Sequence, residues 1–95
     1  MRRAAKVDLN QKQIVMELRA RGYSVRHTHT IGKGFPDIVI GRGGFNLLVE
    51  IKRPGEELTL DEKEFHETWK GAVVIGYDAD QIHVQFVKIF QLMKG

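Results

Sequence analysis

The 95 residues predict an α+β domain: a mixed four-stranded sheet flanked by helices, in the order helix, three strands, helix, strand, helix. Three observations carry that reading. Two apolar runs, 35–40 and 47–52, flank Gly41-Arg42-Gly43-Gly44, the pattern of antiparallel strands joined by a tight turn. Apolar residues recur at helical spacing near both ends of the chain, at Ile14, Val15 and Leu18 and again from Ile82 to Met93. A short continuous apolar run, 72–77, follows a helical stretch and supplies a fourth strand reached through a crossover.

Composition limits the function classes. The chain makes one small domain, 1–95, with one core and little spare stability. It has no cysteine, which excludes disulfides and thiolate-bound zinc. No apolar run approaches the ~20 residues of a membrane span, and no signal-peptide pattern opens the chain. These features suit a cytoplasmic protein without a membrane partner. A net charge of +3 is compatible with nucleic acid.

The chain opens with a basic arm, 1–6, whose Arg2 and Arg3 can meet phosphates. Asp8 or Asn10 caps the first helix, which stops at Gly22 and carries Val7, Ile14, Val15 and Leu18 on its apolar side. Gln11 projects near the middle of that side, an unusual place for a free amide. The first strand runs from Tyr23 to His29, with Tyr23 and Val25 on one face; His27 and His29 share a face and read as polar surface rather than a metal pair. The connection 30–34 is flexible, its glycines allow a phosphate backbone close, and Lys33 offers charge.

After the hairpin, Arg53-Pro54-Gly55 ends the strand, and Glu56 and Glu57 read as solvated loop charges. Thr59 and Glu62 form a capping box that opens a helix presenting Phe65 and Trp69 and ending at Gly71. Trp69 reads as a core anchor rather than a base-stacking platform. The run 72–77 suits a strand covered on both faces. The last helix begins at Asp78-Ala79-Asp80, and its stripe of Ile82, Phe86, Ile89, Phe90 and Met93 is mainly core, with part available as a dimer surface.

Three charges interrupt the apolar hairpin: Asp37, Glu50 and Lys52. A lone buried charge is costly, so each needs a partner, a metal ion or a solvent-lined site. Side chains alternate along a strand, so Glu50 and Lys52 share a face. A turn centred between Arg42 and Gly43 sets Asp37 opposite Leu48, with Glu50 its diagonal neighbour at roughly 7–8 Å. Two carboxylates at that spacing can converge on one cation beside an ammonium. Glu and Lys two apart on a strand are usually a solvated face. The full pattern, Pro36-Asp37, twelve intervening residues, then Glu50-Ile51-Lys52, is far rarer by chance.

That pattern resembles the PD-(D/E)XK nuclease signature, and the element order is similar to its restriction-endonuclease-like αβββαβ core with an extra C-terminal helix. Gly34-Phe35-Pro36-Asp37-Ile38, Leu48-Val49-Glu50-Ile51-Lys52-Arg53-Pro54, and Leu58-Thr59 before a helix with Trp69 resemble a VRR-NUC domain. Asp8-Leu9-Asn10-Gln11, with Leu18-Arg19 and Gly22, is similar to the opening helix of its small, stand-alone, phage-type members. Where many members carry a glutamine in the helix after the lysine-bearing strand, this chain has Glu62.

The resemblance implies a metal-dependent DNA endonuclease needing no small-molecule cofactor. It implies that Asp37, Glu50 and the carbonyl of Ile51 bind Mg²⁺ or Mn²⁺, hard cations suited to oxygen ligands. Lys52 would orient or help deprotonate a water, and Gln11 and Asp8 would form an outer part of the site; Glu17 is the rival to Asp8 as the acidic residue of the first helix. Lys33, Arg42, Arg53 and the basic arm are the candidate phosphate contacts. Small members resemble Holliday-junction resolvases, which implies a homodimer cutting four-way or other branched DNA. A nuclease-like fold that binds nucleic acid without cutting, and a nicking or restriction-like nuclease, are the alternatives.

Overall fold

Gly43 and Gly44, at φ 61° and 81°, form a two-residue turn between β2 (Ile38–Arg42) and β3 (Phe45–Ile51) in the computed structural model, which describes residues 9–94. Left-handed backbone at both positions matches the twist of the flanking strands, and glycine adopts it without strain. β1 (Ser24–His27) pairs antiparallel with β2, and β4 (Val73–Gly76) lies parallel to β3, so the sheet runs in the order β1-β2-β3-β4. The mixed sheet and its crossover are therefore as the sequence predicts.

Alternation sorts the strands into two unlike faces. Val25, Ile38, Ile40, Leu47 and Val49 point to one side, where they meet Ile14, Val15 and Leu18 of α1 (Leu9–Ala20) and Ala79, Ile82 and Phe86 of α3 (Ala79–Lys94). The other face, with Val39, Leu48, Val73 and Ile75, is only half-buried. The crossover helix α2 (Leu60–Thr68) contributes no fully buried residue. Its capping box is present: Thr59 Oγ1 accepts from the Glu62 amide, and the Thr59 amide donates to Glu62 Oε1 at 2.9 Å.

Several expectations change with packing. β1 ends at His27, although the Thr28 amide still donates across to the Asp37 carbonyl at 2.8 Å and its hydroxyl to the Pro36 carbonyl at 2.8 Å. The chain then bends into a 3₁₀ turn, His29–Ile31. Asn10 lies within α1 rather than capping it, and Asp8 and the arm lie outside the described residues. β4 is an edge strand, half-buried rather than covered on both faces. Met93 is exposed, and Trp69 stands 45% exposed, outside the core.

Both sheet edges are partly closed. Arg19 Nη2 donates to the Val25 carbonyl at 2.8 Å on the β1 edge. On the β4 edge Gln85 Nε2 donates to the Ile75 carbonyl at 2.9 Å and Gln81 Nε2 at 3.3 Å. Such contacts occupy carbonyls that would otherwise template another strand. Among the described residues no helix is long and apolar enough to cross a membrane.

Candidate functional site

The register decides how the hairpin charges meet. Ile38 pairs with Val49 and Arg42 with Phe45, so the turn centre lies between Gly43 and Gly44 rather than between Arg42 and Gly43. That one-residue shift carries Asp37 from a place opposite Leu48 to one directly across from Glu50. Directly opposed residues hold their side-chain carbons about 4.5–5.5 Å apart, closer than the diagonal spacing. The Ile51 amide fixes one side of the pair, donating to Asp37 Oδ2 at 2.8 Å. Glu50 is 3% exposed, and its Oε1 is buried with no hydrogen-bond partner among the described residues.

Lys52 is the counter-charge. It is 6% exposed, an unusual depth for a lysine. Its Nζ lies 2.8 Å from Glu62 Oε1, 3.7 Å from Glu50 Oε2 and 3.8 Å from Glu56 Oε2. Glu62 Oε1 thus accepts from both the Thr59 amide and Lys52, so the start of α2 holds the ammonium in place. Glu56 is set by its other oxygen, which accepts from the Arg53 amide at 2.9 Å. Gly34 makes this approach possible: a Cβ there would stand 2.3 Å from the Asp61 carbonyl oxygen. Its lack of a side chain serves contact with α2.

Asn10, Gln11, Asp37, Glu50, Ile51, Lys52, Arg53, Glu56 and Glu62 line one polar recess of about 220 Å³ at the end of the sheet. Gln11 enters it from the buried side of α1, with Nε2 at 3.1 Å from His27 Nδ1. Burial first, then His29 and Arg19, hold His27 below the usual histidine range, which suits a neutral ring accepting from that amide.

The electrostatics follow from crowding carboxyls in a partly dry site. Burial first, then the facing Asp37 and next Glu62, push Glu50 up to about 9. Asp37 is also raised, by burial foremost and against the opposing effect of the Ile51 amide. Burial works against the charge on Lys52, but Glu62, Glu50 and Glu56 outweigh it and hold the ammonium above its ordinary value. Burial likewise opposes ionisation of Glu62, and Lys52 with the Thr59 amide more than reverses that effect.

Among the described residues no group of three or more His, Cys, Asp and Glu side chains is arranged to hold a metal ion. The donors present are two opposed carboxyls. Both are raised, burial foremost, and the two carboxyls lie within hydrogen-bonding reach of each other. This set fits a hard divalent cation that keeps several waters, as Mg²⁺ does, rather than zinc.

The structure brings Asp37, Glu50, Ile51, Lys52, Gln11 and Arg53 together. Arg42 sits at the opposite end of β2, about 16 Å of strand away, with its guanidinium 5.0 Å from the centre of the Tyr23 ring. Lys33 lies outside the recess, beside Asp61 and Glu64. Glu17 is an exposed residue of α1 whose Oε2 accepts from Gln13, away from the recess lining. Arg2, Arg3 and Asp8 lie outside the described residues. Sequence reading missed Glu56 and Glu62 as partners of Lys52. The i,i+4 spacing from Lys52 to Glu56 was a weak sign of the first, and nothing local indicated the second. The chain matches no family model, no curated protein and no solved structure.

Proposed function

We propose that this chain is a divalent-cation-dependent endonuclease that hydrolyses DNA phosphodiesters. The observation that carries the reading is the buried Glu50 carboxyl set directly opposite the half-buried Asp37, with the Lys52 ammonium two residues along. Asp37 and Glu50 would hold Mg²⁺ or Mn²⁺, with the Ile51 carbonyl as a further oxygen. When bound, such an ion supplies an activated water and neutralises phosphate charge.

The chain's own residues supply the rest. The Ile51 amide aims Asp37 at the recess. Glu62 and Glu56 hold Lys52 so that its positive charge faces a phosphate seated over the two carboxyls, where it orients the attacking water and stabilises charge that develops on the phosphoryl oxygens. Gln11 and Asn10 form the α1 wall, and Arg53 offers a cation at the rim. Preference for a four-way junction, and action as a homodimer whose two sites address opposing strands, rest on the resemblance to small VRR-NUC domains.

Cleavage of a labelled four-way DNA junction beside a matched linear duplex tests the proposal, with Mg²⁺, Mn²⁺ or EDTA. The expected outcome is metal-dependent paired cuts on the junction, reduced at least about a hundredfold in Lys52→Ala. Binding without cuts under every metal condition would sink the catalytic reading, and equal cutting of both substrates would sink the structural selectivity.

A further inference from the structure

Trp69 closes the inward-facing row of α2 that also carries Glu62, Phe65 and His66. Its indole stacks on Phe65 at 4.8 Å and 20° and meets Phe35 edge-on at 6.0 Å. Phe35 lies two residues before Asp37, so the aromatic trio adjoins the candidate cation site. Trp69 lies about 10 Å along the helix from Glu62, at roughly 1.5 Å per residue. Yet Trp69 is 45% exposed, and among the described residues Phe65 is the only ring stacked on it. The backbone leaves the helix at this residue, and Gly71 lets the ring lie across the chain: a Cβ there would stand 2.9 Å from Trp69 Nε1.

We propose that the open face of Trp69 is a stacking platform for an unpaired base of a nucleic acid whose backbone runs through the Asp37–Glu50–Lys52 recess. The proposal rests on the nuclease reading and names the feature of the substrate that this site selects. A π-face accepts any base, whereas a base locked in a duplex has both of its faces taken. The surrounding charge sets the orientation. Around α2 the exposed Asp61, Glu64 and Glu67 outnumber the exposed Lys63 and Lys70 and disfavour phosphate, while Lys52 and Arg53 attract it to the recess. The uncharged base, not the backbone, is therefore what meets the indole. Branch points, flaps and single strands offer such bases; blunt duplexes do not.

Trp69 is the chain's single tryptophan, so its emission reports directly on its own ring. The experiment titrates the full chain, with Mg²⁺ and with the Lys52→Ala substitution to prevent cutting. A short thymidine oligonucleotide is compared with a blunt duplex of equal length, and affinity is followed in parallel by anisotropy of a label on the DNA. Expected are quenching by the single strand but not by the duplex, single-strand affinity roughly tenfold weaker in Trp69→Leu, and near-normal affinity in Trp69→Tyr. Gly71→Ala, which displaces the indole without removing it, should weaken quenching. Unchanged emission at saturating single strand overturns the platform, as does equal affinity in Trp69→Leu. Metal-dependent cleavage by the unsubstituted chain with unchanged emission overturns the platform alone. Failure to bind any nucleic acid overturns the nuclease reading with it.

Discussion

The two ends of the sheet are built from the same strands on opposite terms. At the hairpin end Phe45 packs edge-on against Phe86 and Phe90, Tyr23 Oη lies 2.7 Å from His83 Nδ1, and Arg42 rests its guanidinium over the Tyr23 ring. Charges there stay at the surface, as in the ion pair of Arg21 with Asp80. At the other end Glu50 and Lys52 are buried, Asp37 is half-buried, and the two carboxyls face each other. The hairpin end supplies packing free energy, and the charged end consumes some of it by holding like charges together. Surplus stability at one end is what lets the other remain electrostatically unsettled.

The largest effect that sharpens this contrast should come from the apolar end. Leu47 is fully buried, so Leu47→Ala should cost about 2–5 kcal/mol in urea unfolding, enough to approach global unfolding in a domain this small. An effect well below that range would mean that the core is not concentrated where the structure puts it.

Gly34→Ala should come next, at about 1–3 kcal/mol. It forces a side chain into the Asp61 backbone at a position with φ 77°. The first turn of α2 must move, and Glu62 with it. The variant should therefore lose activity beyond its loss of stability, measured as cleavage rate at a temperature where circular dichroism still shows it folded. Full activity in the folded variant would break the link drawn between α2 and Lys52.

The third effect has a distinctive sign. Glu50 keeps its proton in the folded chain up to about 9, whereas the unfolded chain releases it near the ordinary carboxylate value. The folded state therefore binds more protons across that window, and metal-free stability should fall as pH rises from about 4.5 to about 9. Glu50→Gln should flatten that slope and raise the melting temperature at pH 8. A slope unchanged by the substitution would place the titrating burden on another group.

How much of this was legible in the sequence depended on the range of the interactions involved. The capping box at Thr59 and Glu62 is written in four consecutive residues, and the apolar alternation of β2 and β3 is equally local. The charges at Asp37, Glu50 and Lys52 stood out because they break that alternation. Their register was another matter: Gly41, Gly43 and Gly44 offered more than one place to turn, and pairing across the whole hairpin chose between them. Trp69 was misread because aromatic residues at i,i+4 usually mark a buried stripe. Here the helix that carries them buries no residue fully. Glu62 belongs at once to a local cap and to a contact with Lys52 ten positions earlier, and only the first of these leaves a trace in the sequence.

That double duty of Glu62 has a thermal consequence. A short helix with no fully buried residue opens more readily than the sheet beneath it, and its amides should exchange with solvent deuterium well before those of β2 and β3. Each opening of the first turn removes the oxygen that steadies Lys52. The ammonium should therefore lose its aim in transient excursions that leave the rest of the domain intact. On warming, function should fade over a range in which the global fold still melts as a single later step.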